Sequence, residues 1–353
     1  MIVGASLAGL MSALALSRIG MAVTMMECAD GKAREDAALP VSDGLLQRLM
    51  GHGAAQQHTL PSGSQAWADV YTGLQAAVAA DAGIDMRAST RVARIEQDER
   101  SAWAVTDGGD IMRGDIVVGA DGHASVVRRH VCPDQPDAVF AGYLIWLGIV
   151  DESEVKAKPS PDGLAILDEG GYCLNAYYLP GRDGSIAPGR RRIEFGWYDA
   201  GRNDLLQASG AVVDNVVQRT LRSKDIPNAV FSELAAQART LWPNPWRTAI
   251  LDCIERRALI GTPIGEYMPT RLTRGRVCLV GDAAHVPSPM TGRGFDASSL
   301  DALALADVLQ DRSALEDYAQ ALRRYEARQL SPARDLVRSG YGFSRSFASS
   351  PAA

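Results

Sequence analysis

Apolar positions along the chain follow two different rhythms. From Met1 to Glu27 the order is a strand end (Ile2-Val3), a glycine turn (Gly4 to Gly9) and an apolar stretch from Leu10 to Ile19 with small-residue spacing. Gly20 stops that stretch, and a second apolar run, Ala22 to Met26, closes on Glu27. Strand, turn, helix and strand in this order predict the front half of a dinucleotide-binding βαβ unit. Ile2-Val3 reads as the tail of a longer first strand, so a few residues are expected ahead of it. Ala29 to Ser64 is weakly periodic, with a helical piece from Asp43 to Met50. Trp67 to Ala82 predicts an amphipathic helix. Ile84 to Ile95, Ala102 to Thr106 and Ile111 to Gly119 predict strands, with turns at Asp107-Gly108-Gly109 and Arg113-Gly114, and Ser125 to His130 begins another helix.

The rhythm changes at Val139. Aromatic and β-branched residues alternate with turns through Phe140 to Val150, Leu164 to Leu167, Tyr172 to Leu179 and Ile193 to Tyr198, as in an antiparallel sheet. Ser209 to Leu241 reads as helix and Val277 to Val280 as a short buried strand. Asp296 to Leu309 and Leu315 to Leu330 read as helices, the last with Leu315, Tyr318, Leu322 and Tyr325 on one side. The expected fold class is α/β. A Rossmann-like domain made of residues 1–138 and 265–353 is interrupted by an antiparallel substrate-binding domain at 139–264, and helices close the chain.

Composition narrows the picture. The chain has 353 residues, 46% of them hydrophobic, enough for two domains or one interleaved unit. Its net charge of −6 gives no general reason to bind nucleic acid. The densest basic run, Arg190-Arg191-Arg192, follows Pro188-Gly189 and reads as a solvated turn into a strand. Cys28, Cys132, Cys173, Cys253 and Cys278 form no CxxC pair, so neither a disulfide framework nor a zinc or other metal site is expected. No apolar run reaches the ~18 residues of a membrane span. A cytoplasmic protein with reduced thiols, monomer or homodimer, is the expectation.

Three segments carry chemistry. In Gly4-Ala5-Ser6-Leu7-Ala8-Gly9 the spacing is that of GxGxxG with Ser6 at the second glycine. The turn and the following helix N-terminus offer N–H groups to a pyrophosphate, and Glu27, ending the second strand, suits the hydroxyls of a ribose. A glycine-rich turn of any α/β protein, with Glu27 a solvated strand end, is the bland alternative. In Gly119-Ala120-Asp121-Gly122-His123-Ala124-Ser125-Val126-Val127-Arg128 a strand enters a Gly-Asp-Gly turn before a helix, where Asp121 serves either a ligand or the helix as a cap. The third segment is the most specific. A buried strand ends in Gly281-Asp282, His285 follows, and the loop Pro287-Ser288-Pro289-Met290-Thr291-Gly292-Arg293-Gly294-Phe295-Asp296 leads into a helix. Asp282 can accept a bond from a polyol hydroxyl. Gly292 and Gly294 let backbone N–H groups lie against a ligand, and the helix directs its positive end there, as a reduced flavin requires.

In these three segments, in this order and spacing, the chain resembles the FAD-dependent aromatic hydroxylases of the para-hydroxybenzoate hydroxylase type, the group A flavoprotein monooxygenases. Ala141 to Gly148 and Pro180 to Arg192 resemble the 2,6-dihydroxypyridine 3-hydroxylase branch. The resemblance covers nearly the whole chain and implies that the Rossmann-like domain holds FAD non-covalently. Cofactor residues would be Gly4, Ser6, Leu7, Ala8, Gly9, Glu27, Asp121, Gly281, Asp282, Pro289, Gly292, Arg293, Gly294, Phe295 and Asp296. Three departures stand out. Ser6 replaces a glycine, Asp296 stands where Asn is frequent, and the region after Glu27 lacks the basic residue and the Gly-rich flavin-contacting segment expected there. That region is expected either to be rebuilt or to lack residues in the sequence given.

The resemblance further implies reduction of FAD by NADH or NADPH, addition of O2 to give a C4a-hydroperoxide, and hydroxylation of an electron-rich aromatic or heteroaromatic small molecule. Pro289, Gly292 and Gly294 would line the reaction space, and His285 is a candidate base. Tyr143, Trp146, Asn175, Tyr177, Phe195, Trp197 and Met290 are candidates for the substrate pocket. The Trp-x-Trp-x-Ile-Pro stretch of a flavin halogenase and a second glycine fingerprint mid-chain are both absent. A flavin-binding protein without turnover, and a flavin enzyme performing epoxidation or another oxidation of a natural-product intermediate, remain open alternatives.

Overall fold

The computed structural model describes residues 1–29, 37–155, 163–169, 171–313 and 316–349. Two large sheets organise them. The first has six strands and is centred on Ile2–Val3. This strand pairs in parallel with Val23–Met26 on one side, through Ile2 opposite Met25, and with Val117–Gly119 on the other, through Ile2 opposite Val118. Ile84–Arg87 extends one side in parallel, and Val277–Leu279 extends the other. Thr273–Arg274 adds an antiparallel edge. A parallel sheet is covered on both faces, which is why Ile2, Met25, Val117, Val118 and Cys278 are all fully buried. The helices Leu7–Arg18, Gly294–Gln310 and Tyr318–Ser349 supply apolar cover.

The second sheet has seven strands, built on the long strand Val139–Asp151. Arg192–Asp199 and Ile260–Glu266 flank it, Tyr172–Leu179 pairs with Arg192–Asp199, and Ala165–Glu169 lies outermost, all antiparallel. One face packs on the helices Asn228–Leu241 and Trp246–Glu255 in an aromatic-rich core that includes Trp146, Phe195, Trp197, Trp242 and Trp246. The other face is turned toward the first sheet.

Several elements differ from their sequence reading. Ser209 to Arg222 is not helical. Val212–Val213 and Val216–Val217 form a hairpin across Asp214-Asn215, both at positive φ (49° and 63°). Paired valines about an Asp-Asn loop are a two-residue hairpin signal. The continuous strand expected over Ile84 to Ile95 is two strands that belong to different sheets, separated at Ser89 with φ 52°. The last helix runs on to Ser349 with Pro332 inside it. All five cysteines are free. Among the described residues no helix is long and apolar enough to cross a membrane. The departure expected after Glu27 falls mainly on residues 30–36, outside the described residues.

Candidate active site

At the N-terminal turn the backbone itself is the device. Gly4 has φ 97°, and a Cβ there would lie 2.4 Å from the Ala120 carbonyl oxygen. A Cβ on Gly9 would lie 2.0 Å from the Gly4 carbonyl oxygen, so the Leu7–Arg18 helix rests directly on the turn. Ser6 is exposed and its side chain caps nothing, which leaves the first N–H groups of the helix without a side-chain acceptor. Glu27 accepts from the Ala5 N–H at 2.7 Å and the Ala29 N–H at 2.8 Å. It therefore braces the turn; Oε1 also accepts from the Cys28 thiol at 3.4 Å, and Oε2 keeps a further lone pair.

In the second segment the capping alternative describes Asp121. Its carboxylate accepts from Ser125 Oγ at 2.5 Å, Val126 N–H at 2.7 Å and Val127 N–H at 3.1 Å, starting the Val126–Val131 helix. The residue that links segments is Arg128, fully buried. Its guanidinium donates to the carbonyls of His123, Pro136 (2.7 Å), Asp282 (3.1 Å) and Ala283 (3.3 Å), and it stacks 4.3 Å over the Tyr267 ring. One cation thus clamps the Gly-Asp-Gly turn to the Gly281-Asp282 turn.

Gly281, at φ 57°, sits against the N-terminal turn, since a Cβ there would meet the Ala8 methyl at 2.6 Å. Its N–H donates to Asp301 at 2.9 Å, and the same carboxylate oxygen lies 2.8 Å from His285 Nε2. His285 is 1% exposed and does not border the cavity described below, so it reaches no ring hydroxyl there. The expectation of a base at this position is corrected to a buried His–Asp brace. Burial opposes the charged imidazole, but the Asp301 carboxylate outweighs it and the pKa is raised. Asp282 is different: its side chain is exposed and has no hydrogen-bond partner among the described residues.

Between the two sheets lies a cavity of about 650 Å³, within the usual range for small-molecule sites. Asp282 is at one end. Pro287 to Phe295 forms one wall, with Pro289, Met290, Gly292, Arg293 and Gly294 all bordering the space. Gly292 takes φ 62°, and the Gly294–Gln310 helix starts behind it without a side-chain cap. Asp296 lies in the first turn of that helix and does not border the cavity. The opposite wall is the second sheet, through Ile145, Leu147, Asn175, Tyr177, Glu194, Gly196, Tyr198, Thr262 and Ile264.

Of the seven pocket candidates, Asn175, Tyr177 and Met290 are on this wall or loop. Trp146, Phe195 and Trp197 face the opposite way, into the helix-backed core, because successive strand residues alternate faces. Tyr143 lies behind the wall. It is fully buried, 3.0 Å from Ser288 Oγ and 3.2 Å from Ser344 Oγ, and its ring backs Tyr198 at 5.9 Å. The residues missed were Glu194 and Tyr198, one position away from Phe195 and Trp197. The alternation of Arg192 to Asp199 held the signal, but aromatic content alone favoured the wrong face.

The pieces fit a flavin dinucleotide. A cradle without side chains at Gly4 and Gly9, helix starts at Leu7 and Gly294 without a side-chain cap, and a carboxylate at Asp282 that has no partner among the described residues lie in sequence from the strand ends to the cavity. Comparisons with known proteins agree. Residues 250–339 match the FAD binding domain family and residues 140–255 an FAD binding domain-like family. The chain is 26% identical to 2,6-dihydroxypyridine 3-monooxygenase of Paenarthrobacter nicotinovorans, over 93% of this chain and 86% of that protein. It is 29% identical to an FAD-dependent urate hydroxylase of Klebsiella oxytoca, over 70% of this chain, and that match spans 56% of the relative's length. Among solved structures, 2,6-dihydroxypyridine-3-hydroxylase from Arthrobacter nicotinovorans superposes with TM-score 0.77 at 22% identity, covering 98% of this chain and 92% of that one. Klebsiella pneumoniae HpxO with FAD and uric acid superposes with TM-score 0.70 at 20% identity, covering 99% and 92%. With the three glycine segments joined around one cavity and these matches along its length, the chain is similar to FAD-dependent aromatic hydroxylases.

Proposed function

We propose that this protein is an FAD-dependent monooxygenase that hydroxylates an electron-rich aromatic or heteroaromatic small molecule, with NADH or NADPH as reductant and O2 as oxygen donor. The observation that carries this reading is the cavity itself, in which the glycine loop and uncapped helix start face an aromatic and polar sheet wall across a ring-sized space. The Gly4 to Gly9 turn would take the pyrophosphate, Glu27 the ribose and Asp282 a hydroxyl of the ribityl chain. Pro289 and Gly292 to Phe295 would flank the flavin ring. When bound, the flavin would accept a hydride from the nicotinamide and activate O2 for electrophilic transfer to a ring.

The chain's own contribution is positioning and electrostatics. The N-terminus of the Gly294–Gln310 helix places partial positive charge where a reduced flavin is negative. Ile145, Leu147, Ile264, Pro287 and Met290 make much of the wall apolar and keep water from a reactive oxygen species. No side chain is required as a nucleophile. The purified protein should be yellow, and its NAD(P)H oxidation should rise with a suitable ring and yield stoichiometric hydroxylated product. Gly294→Ala is a sharp probe, because a Cβ there meets only Pro287 Cγ at 3.8 Å and the fold tolerates it. It should keep FAD yet divert NAD(P)H oxidation toward peroxide. Absence of hydroxylated product across hydroxypyridines, phenols and indoles would overturn the monooxygenase reading in favour of a flavin-binding protein without turnover.

A further inference from the structure

On the cavity wall made by the second sheet, one rung of the ladder is bare in the middle. Asn175 stands across from Gly196, and Gly196 across from Leu147, and all three border the cavity. Directly paired residues share a face, and the outer two strands of such a triplet are roughly 10 Å apart. A Cβ on Gly196 would already touch the Ile145 and Leu147 side chains at 3.3 and 3.5 Å. The glycine therefore leaves a flat bed about one ring wide, with aliphatic side chains along one edge and a carboxamide along the other.

That carboxamide is held on one side and loosely engaged on the other. Asn175 is hydrogen-bonded to the side chain of Tyr198, whose hydroxyl stays protonated because burial pushes its pKa well up. The Asn175 Oδ1 accepts from the Cys173 thiol at 3.9 Å. Its Nδ2 donates to Met290 Sδ at 3.7 Å, so the bond joins the sheet wall to the glycine loop across the cavity. A thioether is a weak acceptor, and a primary amide has two N–H donors to place. The methionine side chain is unbranched and changes rotamer easily. The next polar pair on this wall, Tyr177 and Glu194, is bonded to itself.

On the hydroxylase reading above, we propose that Asn175 recognises an oxygen substituent of the substrate: the ring lies flat on Gly196, and its hydroxyl or carbonyl oxygen takes the Asn175 N–H away from Met290. The exchange replaces a weak sulfur acceptor with an oxygen, which favours a ring carrying oxygen at that edge. A ring with a methyl group in the same place displaces the sulfur without replacing it as an acceptor, and leaves the amide N–H unpaired. Met290 is then a placeholder that engages the donor until a ring arrives, and Gly196 is the space that lets the ring reach it.

The test titrates the FAD-loaded protein with phenol and with toluene (the same outline with a methyl group for the hydroxyl) while reading flavin absorbance. Wild type should bind phenol about tenfold more tightly than toluene. Asn175→Leu should bring the two within about threefold by weakening phenol, at unchanged FAD content. Asn175→Ala makes the same comparison if the leucine variant does not fold. Met290→Leu, which removes the sulfur at similar volume, should keep the preference for phenol. Gly196→Ala should weaken both probes together by filling the bed. Wild type that binds toluene as well as phenol, or binds neither, overturns the inference. So does an Asn175 variant that keeps the preference, or one that loses both probes alike, as a merely structural role would have it. Hydroxylation of any ring among hydroxypyridines, phenols and indoles would leave the monooxygenase reading standing in each of those cases. No ring-dependent turnover of any kind would remove both.

Discussion

The two ends of the proposed site are made of different material. At the nucleotide end, Gly4, Gly9 and Gly281 matter for the side chains they lack, and helix starts at Leu7 and Gly294 contribute backbone N–H groups. At the ring end, Asn175, Tyr177, Glu194 and Tyr198 matter for the side chains they carry, spaced two apart on antiparallel strands. A backbone device is nearly independent of which ligand chemistry follows, whereas a side-chain wall can be rewritten one residue at a time. The contrast predicts that damage at the first end costs cofactor and fold together, while damage at the second costs selectivity alone.

Gly9→Val is the largest expected break. Its Cβ would stand 2.0 Å from the Gly4 carbonyl oxygen, and neither the helix nor the strand end can yield without losing the turn. FAD affinity should fall by more than ~100-fold and the melting temperature should drop, read by flavin content per protein and by circular dichroism. Normal flavin content would show that the turn is structural only. Arg128→Met comes next. Four carbonyls would lose a buried charged donor, including those of Asp282 and Ala283. A loss of about 3 kcal/mol in urea unfolding is expected, accompanied by weaker FAD binding.

Asp282→Asn separates ligand from fold. Its carboxylate has no hydrogen-bond partner among the described residues, so the apoprotein should melt as wild type does. FAD affinity should fall by about 10- to 100-fold, the usual worth of a hydrogen bond to a charged group. Equal FAD affinity in isothermal titration would remove Asp282 from the cofactor site.

These contrasts also mark what was readable in advance. Gly4 to Gly9, Gly119 to Arg128 and Gly281 to Asp296 were legible because a backbone cradle needs glycines at fixed spacing, and spacing is a linear property. The alternating run from Tyr172 to Tyr198 was equally legible as strands. Which face held the cavity was not, because both faces are rich in aromatics and only the helices Asn228–Leu241 and Trp246–Glu255 decide which is covered. Arg128, Asp301 and the Asp214-Asn215 hairpin were hidden for related reasons. The first two act over 154 and 16 residues of sequence, and the valine pairs suit helix and hairpin alike until their partners are known.

His285 offers a pH-dependent version of the comparison. With its pKa held above the ordinary 6.5 by Asp301 against the cost of burial, the charged pair stabilises the folded state. That contribution is complete below pH 6.5 and is lost as pH rises through the higher folded value. Wild-type stability should therefore decline over that interval, and His285→Gln should flatten the decline. A slope unchanged in the variant would mean that other groups set it. Hydroxylation of a bound ring should keep its pH profile in this variant, since His285 does not border the cavity.

The smallest effect should come from Trp197→Phe, and its smallness is the point. Trp197 is one residue from Tyr198, yet it lies on the covered face, fully buried, with its ring edge-to-face against Trp242 at 5.8 Å and Tyr172 at 5.8 Å. Its Nε1 has no hydrogen-bond partner among the described residues. Replacing the indole with a phenyl ring leaves a small void, which costs stability. It also removes a buried unpaired N–H, whose desolvation costs ~1–3 kcal/mol. The two opposing changes should leave stability within about 1 kcal/mol of wild type. KM for the ring substrate should stay within about twofold, because the side chain and the cavity are on opposite sides of the strand. A tenfold rise in KM at unchanged stability would place this indole against the substrate and reverse the assignment of the two faces, and with it the whole set of wall residues from Asn175 to Tyr198.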